Sequence, residues 1–253
     1  MPHPAGSENA KQMLAELLGS WPPGYDSILA VDPRFLEAYA SLAAVPLRRT
    51  HLDEKTRHLV ALAVNAAVTH LHAEGTLASI DAALAAGASR EELLEVIQLT
   101  TTLGVHAIAA GVPLLREVVT ARGEDLAKQA TPRQAEIRRD FRARRGYWSD
   151  SWEDLLHIDP DLVAAYLEYS ALPWETGPLA PKVKEFVYIA IDASTTHLFL
   201  PGLRQHFENA IDHGANADEI LQVLEITSLI GMQSAALAAP LIQSRTSEEG
   251  LPD

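Results

Sequence analysis

Between Glu185 and His206 the sequence gathers side chains that can move protons and hold an anion. Glu185 and Asp192 stand seven positions apart, about two helical turns, so both carboxylates fall on one helix face. Thr195, Thr196 and His197 follow, Pro201-Gly202 interrupts the pattern, and Arg204 and His206 come after the break. Histidine is the side chain best matched to proton transfer near neutral pH, and a nearby carboxylate fixes its tautomer. A helix starting at Gly202 would turn the His206 ring back towards the break. It would also add amide donors suited to a carboxylate or a developing oxyanion. The candidate catalytic residues are therefore His197, His206 and Glu185, with Thr196, Arg204, Gln233, Asp192 and Thr195 as candidate substrate contacts. The plainer alternative is a polar cluster that only closes a helix junction by satisfying loose backbone groups.

A second candidate site lies upstream at His70, His72 and His106, while His51 and His58 read as surface residues. His70-Leu71-His72 lacks the i, i+4 spacing of two ligands on one helix face, so no metal site and no cofactor are assigned.

The elements that position these residues are written twice. Shifted by 127 positions, the chain lies over itself without a gap from Gly19 to Leu115. Asp32-Pro33 meets Asp159-Pro160, Thr69-His70-Leu71 meets Thr196-His197-Leu198, and Gly87-Ala88 meets Gly214-Ala215. Roughly three positions in ten are identical, a duplicated module. The first copy keeps only part of the set: His58 stands opposite Glu185, His72 opposite Phe199, Ser79 opposite His206, and His106 opposite Gln233.

Each copy reads as helical. Asp32-Pro33 and Asp159-Pro160 are an N-cap followed by proline at the first helical position. Leu59, Leu62, Ala63, Ala66 and their partners Phe186, Ile189, Ala190, Ala193 recur at helical spacing. Gly87 and Gly214 suit helix C-termini, and Ser89…Glu92 and Asn216…Glu219 are capping-box patterns. No stretch alternates as a strand does. The expectation is an all-α chain of two modules, 1–127 and 128–253, joined by a linker within 116–129 and ending in a polar tail after Gln243. Thr131-Pro132 opens a further helix bearing Arg138, Arg139, Arg142, Arg144 and Arg145, read as a solvated face or as partners of acids elsewhere.

Composition narrows the function. A net charge of -14 disfavours nucleic acid and anionic membranes as partners. The absence of cysteine removes thiol catalysis, thiolate metal sites and disulfides together. The N-terminus lacks a signal-peptide profile, and no apolar run reads as a membrane span, so a cytoplasmic protein with a small-molecule partner is expected.

The runs Lys184-Glu185-Phe186-Val187-Tyr188-Ile189-Ala190-Ile191, His206 to Ala215 and Glu219 to Val223, repeated at Arg57 to Val64, Gly87-Ala88 and Glu91 to Val96, resemble the carboxymuconolactone decarboxylase and alkylhydroperoxidase D-like superfamily. The resemblance covers nearly the whole chain as two tandem copies. It implies an all-α fold and a homo-oligomer, here a trimer with pseudo-sixfold symmetry. It also sets Glu185 at the family's glutamate and His206 at its histidine, with a short insertion around Leu200-Pro201-Gly202. The peroxidase branch needs a cysteine pair, which is absent, so the resemblance points to the cofactor-independent decarboxylase branch. The expected activity is a decarboxylase- or isomerase-type lyase acting by histidine acid–base chemistry on a small carboxylated lactone or carbonyl compound. Alternatives are a hydrolase using the same histidines, with or without a metal, and a non-catalytic binding or scaffold member.

Overall fold

The computed structural model describes residues 4–126, 130–149 and 151–249; the expected module junction at 127 and 128 lies outside them. Fourteen α-helices carry the described chain, and no strand occurs among the described residues. They form two sets of seven in the same order. The first set is α1 (Pro4–Leu18), α2 (Tyr25–Val31), α3 (Pro33–Arg48), α4 (Glu54–Ala66), α5 (Ala73–Ala85), α6 (Arg90–Thr100) and α7 (His106–Thr120). The second is α8 (Pro132–Arg145), α9 (Ser151–Ile158), α10 (Pro160–Thr176), α11 (Pro181–Ala193), α12 (Leu200–Asp212), α13 (Ala217–Ser228) and α14 (Met232–Glu249). A 3₁₀ turn precedes each last helix, at Thr101–Val105 and Leu229–Gly231.

The caps follow the sequence. Asp32 and Asp159 accept backbone N–H groups ahead of Pro33 and Pro160, Ser89 and Asn216 form capping boxes with Glu92 and Glu219, and Thr131 does so with Gln134. Gly87 and Gly214 take φ of 86° and 84°, a left-handed conformation that favours glycine. Two expectations need correction. The chain after Gln243 continues as helix to Glu249. Pro201-Gly202 does not break a helix; it lies in the first turn of α12, where a missing N–H costs nothing, and the break is the segment 194–199 before it.

The two sets interlock. The apolar interior between α4, α5 and α6 includes Val187, Tyr188 and Ile191 of α11, and that around α11, α12 and α13 includes Val60 and Val64 of α4. The last helices are exchanged: Met232, Ala235 and Ala236 of α14 close the core of α1–α3, and Ile108 and Val112 of α7 close that of α8–α10. Residues 90–120 and 217–246 are long and apolar enough, by length and composition, to cross a membrane, though each is interrupted by polar residues, as the sequence reads. Both contribute side chains to these cores.

Candidate active site

α11 and α12 are joined by a turn in which Leu198 adopts φ 51°, as its partner Leu71 adopts φ 48° in the first copy. A branched residue with positive φ is strained, and its occurrence at both equivalent turns marks a shape the fold imposes. That turn lays α12 against α11 so closely that a Cβ on Gly202 would overlap Asp192 Oδ2 and the Phe199 ring. Glycine is therefore required at this crossing.

The packing buries a polar cluster. Glu185 and Asp192 are each 1% exposed and His206 is 7% exposed. Glu185 Oε2 lies 2.6 Å from His206 Nδ1, and Glu185 Oε1 accepts from Asn209 Nδ2 at 3.2 Å. An ionised Glu185 makes Nδ1 the protonated nitrogen and leaves His206 Nε2 facing Asp192 Oδ2, 4.0 Å away. The Tyr188 ring stacks on the imidazole, with centroids 4.5 Å apart. Asp192 Oδ2 is buried without a hydrogen-bond partner. Burial, reinforced by Glu185 and opposed by His206, raises the Asp192 pKa to about 7.

His106 comes from α7, in the other copy. Its Nδ1 sits 2.7 Å from His197 Nε2 and 3.7 Å from Asp192 Oδ1, and its ring stacks on Phe199. Burial, together with His197 and His206, lowers its pKa to about 3, and burial lowers that of His197. Both imidazoles are therefore neutral at physiological pH. The donor atoms of His106, Asp192 and His197 all lie within 4.8 Å of one another, a set that could hold a metal ion.

A narrow cavity of about 50 Å³ opens beside His206, Asp192 and His106 and is lined by Tyr147, Tyr166 and Tyr188. Arg145 also lines it. This residue ends α8, is 5% exposed, and lies over the faces of Trp174, Tyr188 and Tyr147. Its Nη1 donates to the Ser170 carbonyl, while its Nε is buried without a partner. A buried cation thus shares the cavity wall with Asp192 and His206.

Placement separates the candidates. Glu185, Asp192, His197 and His206 come together. Arg204, Thr195 and Thr196 are exposed and do not line the cavity; Thr196 instead meets Thr69, its own repeat partner, at 3.4 Å. Gln233 is not with them: α14 carries it to the first copy, where it bonds His70 Nε2 and donates to Asn65 Oδ1 at 2.7 Å. His106, grouped by sequence with His70 and His72, makes the reverse crossing. His58 is not a surface residue; it is half-buried in the wall of a second cavity. The arginine run is mostly paired on the surface, Arg138 with Glu153 and Arg144 with Glu168 and Glu175, and Arg145 is the exception. Its repeat partner Leu18 is the signal that the position faces inward, since Ala10, Leu14 and Leu18 match Ile137, Phe141 and Arg145 turn by turn.

The model of the carboxymuconolactone decarboxylase family matches residues 33–121 and 160–242, one segment in each copy. The chain belongs to the carboxymuconolactone decarboxylase family. It is similar to a crystal structure from Burkholderia xenovorans LB400, provisionally named as a gamma-carboxymuconolactone decarboxylase subunit. The two share 45% sequence identity over 96% of this chain and 98% of that one, with a TM-score of 0.92. No curated protein matches.

Proposed function

We propose that the chain is a cofactor-independent, decarboxylase-type lyase whose acid–base centre is the Glu185–His206 pair. The observation that carries this reading is the buried 2.6 Å bond between them, which leaves His206 Nε2 on the cavity side with Asp192. The cavity of about 50 Å³ admits the reacting end of a small carboxylated lactone or carbonyl compound, not a whole ring. Arg145 supplies the positive charge for an anionic substrate, the part that sequence gave to Arg204.

In the proposed step the bond between the carboxylate carbon and its neighbour breaks and CO₂ leaves. The electron pair passes onto the carbon conjugated with the carbonyl, and protonated His206 delivers a proton there. Glu185 holds the ring and stabilises its cationic form, Arg145 offsets the negative charge that develops, and Asp192 exchanges protons near neutrality. His106 lines the cavity and is held from behind by His197.

CO₂ release from a panel of carboxylated lactones and β-keto acids tests the reading. Turnover of at least one compound, with KM rising tenfold or more in Arg145→Leu, supports it; equal KM in both proteins contradicts the role of Arg145. The His106, Asp192 and His197 donor set favours a second reading, a hydrolase with a bound metal. Stoichiometric zinc in the purified protein, with ester or lactone hydrolysis that chelation abolishes, would favour that reading. No turnover of any compound would favour a non-catalytic binding member. The lyase reading carries with it a cytoplasmic location, a small-molecule partner, no nucleic-acid or membrane partner, and a homotrimer.

A further inference from the structure

The repeat places a second cavity, of about 180 Å³, where the first copy corresponds to the candidate active site. Every residue lining the narrow cavity except Val105 has its repeat partner in the wall of the large one. The two differ in charge and bulk. Leu18 replaces Arg145, Ala61 replaces Tyr188, Asn65 replaces Asp192 and Ser79 replaces His206. Loss of the guanidinium and the tyrosine ring opens the space, and loss of the carboxylate and imidazole removes the acid–base pair.

The polar groups that remain are largely satisfied by one another. Asn65 Nδ2 donates to Ser79 at 3.0 Å and its Oδ1 accepts from Gln233, while His72 Nδ1 accepts the Gly75 N–H at 2.9 Å. The wall contains two formal charges. Arg57 is held through Nη1 by the carbonyls of Arg49 and Leu52, and Glu74 is exposed at the rim. Burial keeps His58 neutral at physiological pH. The rest is mainly Trp21, Tyr25, Tyr39 and aliphatic side chains. An apolar cavity of about 150 Å³ accommodates benzene, so this one is sized for a single ring or a small fused one.

We propose that the first-copy cavity is a separate binding site for an uncharged aromatic molecule of benzene to indole size, with the buried, unpartnered Trp21 Nε1 as its polar contact. The duplication has thus produced two unlike sites: one small and charged, one roomy and neutral. The inference does not depend on the lyase reading, because it rests on the shape and lining of a cavity that contains none of the proposed catalytic residues.

Titration calorimetry of the full chain with indole tests it, with benzoate as the charged comparison. The expected result is saturable binding of indole at one equivalent per chain, weakened at least tenfold by Ala61→Trp, which refills the space of Tyr188. Leu18→Trp fills the same cavity from another helix and keeps the test open should Ala61→Trp not fold. Circular dichroism and thermal melting identify which variants fold. Undetectable indole binding to the wild type, unchanged indole binding in a folded filled variant, or tighter binding of benzoate than of indole would overturn the proposal.

Discussion

A carboxyl group buried to 1% exposure keeps its proton unless a cation stands close, and at Asp192 burial outweighs His206. The pKa is raised from 3.8 to about 7, so the folded protein binds this proton more tightly than the unfolded chain does. Folding then takes up a proton between those values, and the contribution of Asp192 to stability falls as pH rises through that window. Asp192→Asn should therefore stabilise the protein at pH 8 by about 1–4 kcal/mol and change it little at pH 4, as read by urea unfolding at both. Equal effects at the two pH values would contradict the assignment. At this scale the sequence was partly legible. Glu185, Asp192 and His206 announce themselves by residue type and spacing. Arg145 does not, because a cation within a run of cations looks solvated until its helix is packed.

Helix ends and caps were readable because a cap is a local event, complete within four residues. The crossing of α11 and α12 is not local. Gly202 reads as a helix breaker, yet its function is to let the first turn of α12 touch Asp192. Gly202→Ala should cost about 1–3 kcal/mol or more by overpacking, and should lower activity by moving His206 away from Asp192. A thermal melt indistinguishable from wild type would contradict this. The exchange of α7 and α14 between copies was equally invisible. Pairwise repetition predicts that His106 and Gln233 occupy equivalent places, which they do, but not which copy each completes. That choice belongs to the tertiary packing of the apolar faces of α7 and α14, and it brings His106 rather than Gln233 to His197.

Taken whole, the molecule repeats its outer surface as well as its core. Phe35 and Leu162, Leu71 and Leu198, Leu94 and Leu221, Leu114 and Leu241, and Leu115 and Ile242 are exposed in equivalent pairs. Apolar residues left outside at both copies are what a ring with pseudo-sixfold symmetry needs, since each module must meet a neighbour in the same way. Light scattering should give the mass of a trimer of the 27.5 kDa chain, and Leu114→Glu with Leu241→Glu should reduce that mass. A wild-type monomer would contradict the proposed assembly. The duplication itself was the clearest thing in the sequence. The chemical inequality of the copies was legible too, in Ser79 opposite His206 and His58 opposite Glu185; what stayed hidden is that each copy's last helix completes the other copy's site.

The central claim is that His206, held by Glu185, moves the proton at this site, and turnover of His206→Ala tests it most directly. With a carboxylated lactone or β-keto acid that the wild type decarboxylates, kcat should fall by about 10²–10⁴-fold in the folded variant. A folded His206→Ala protein that releases CO₂ at the wild-type rate would contradict the account.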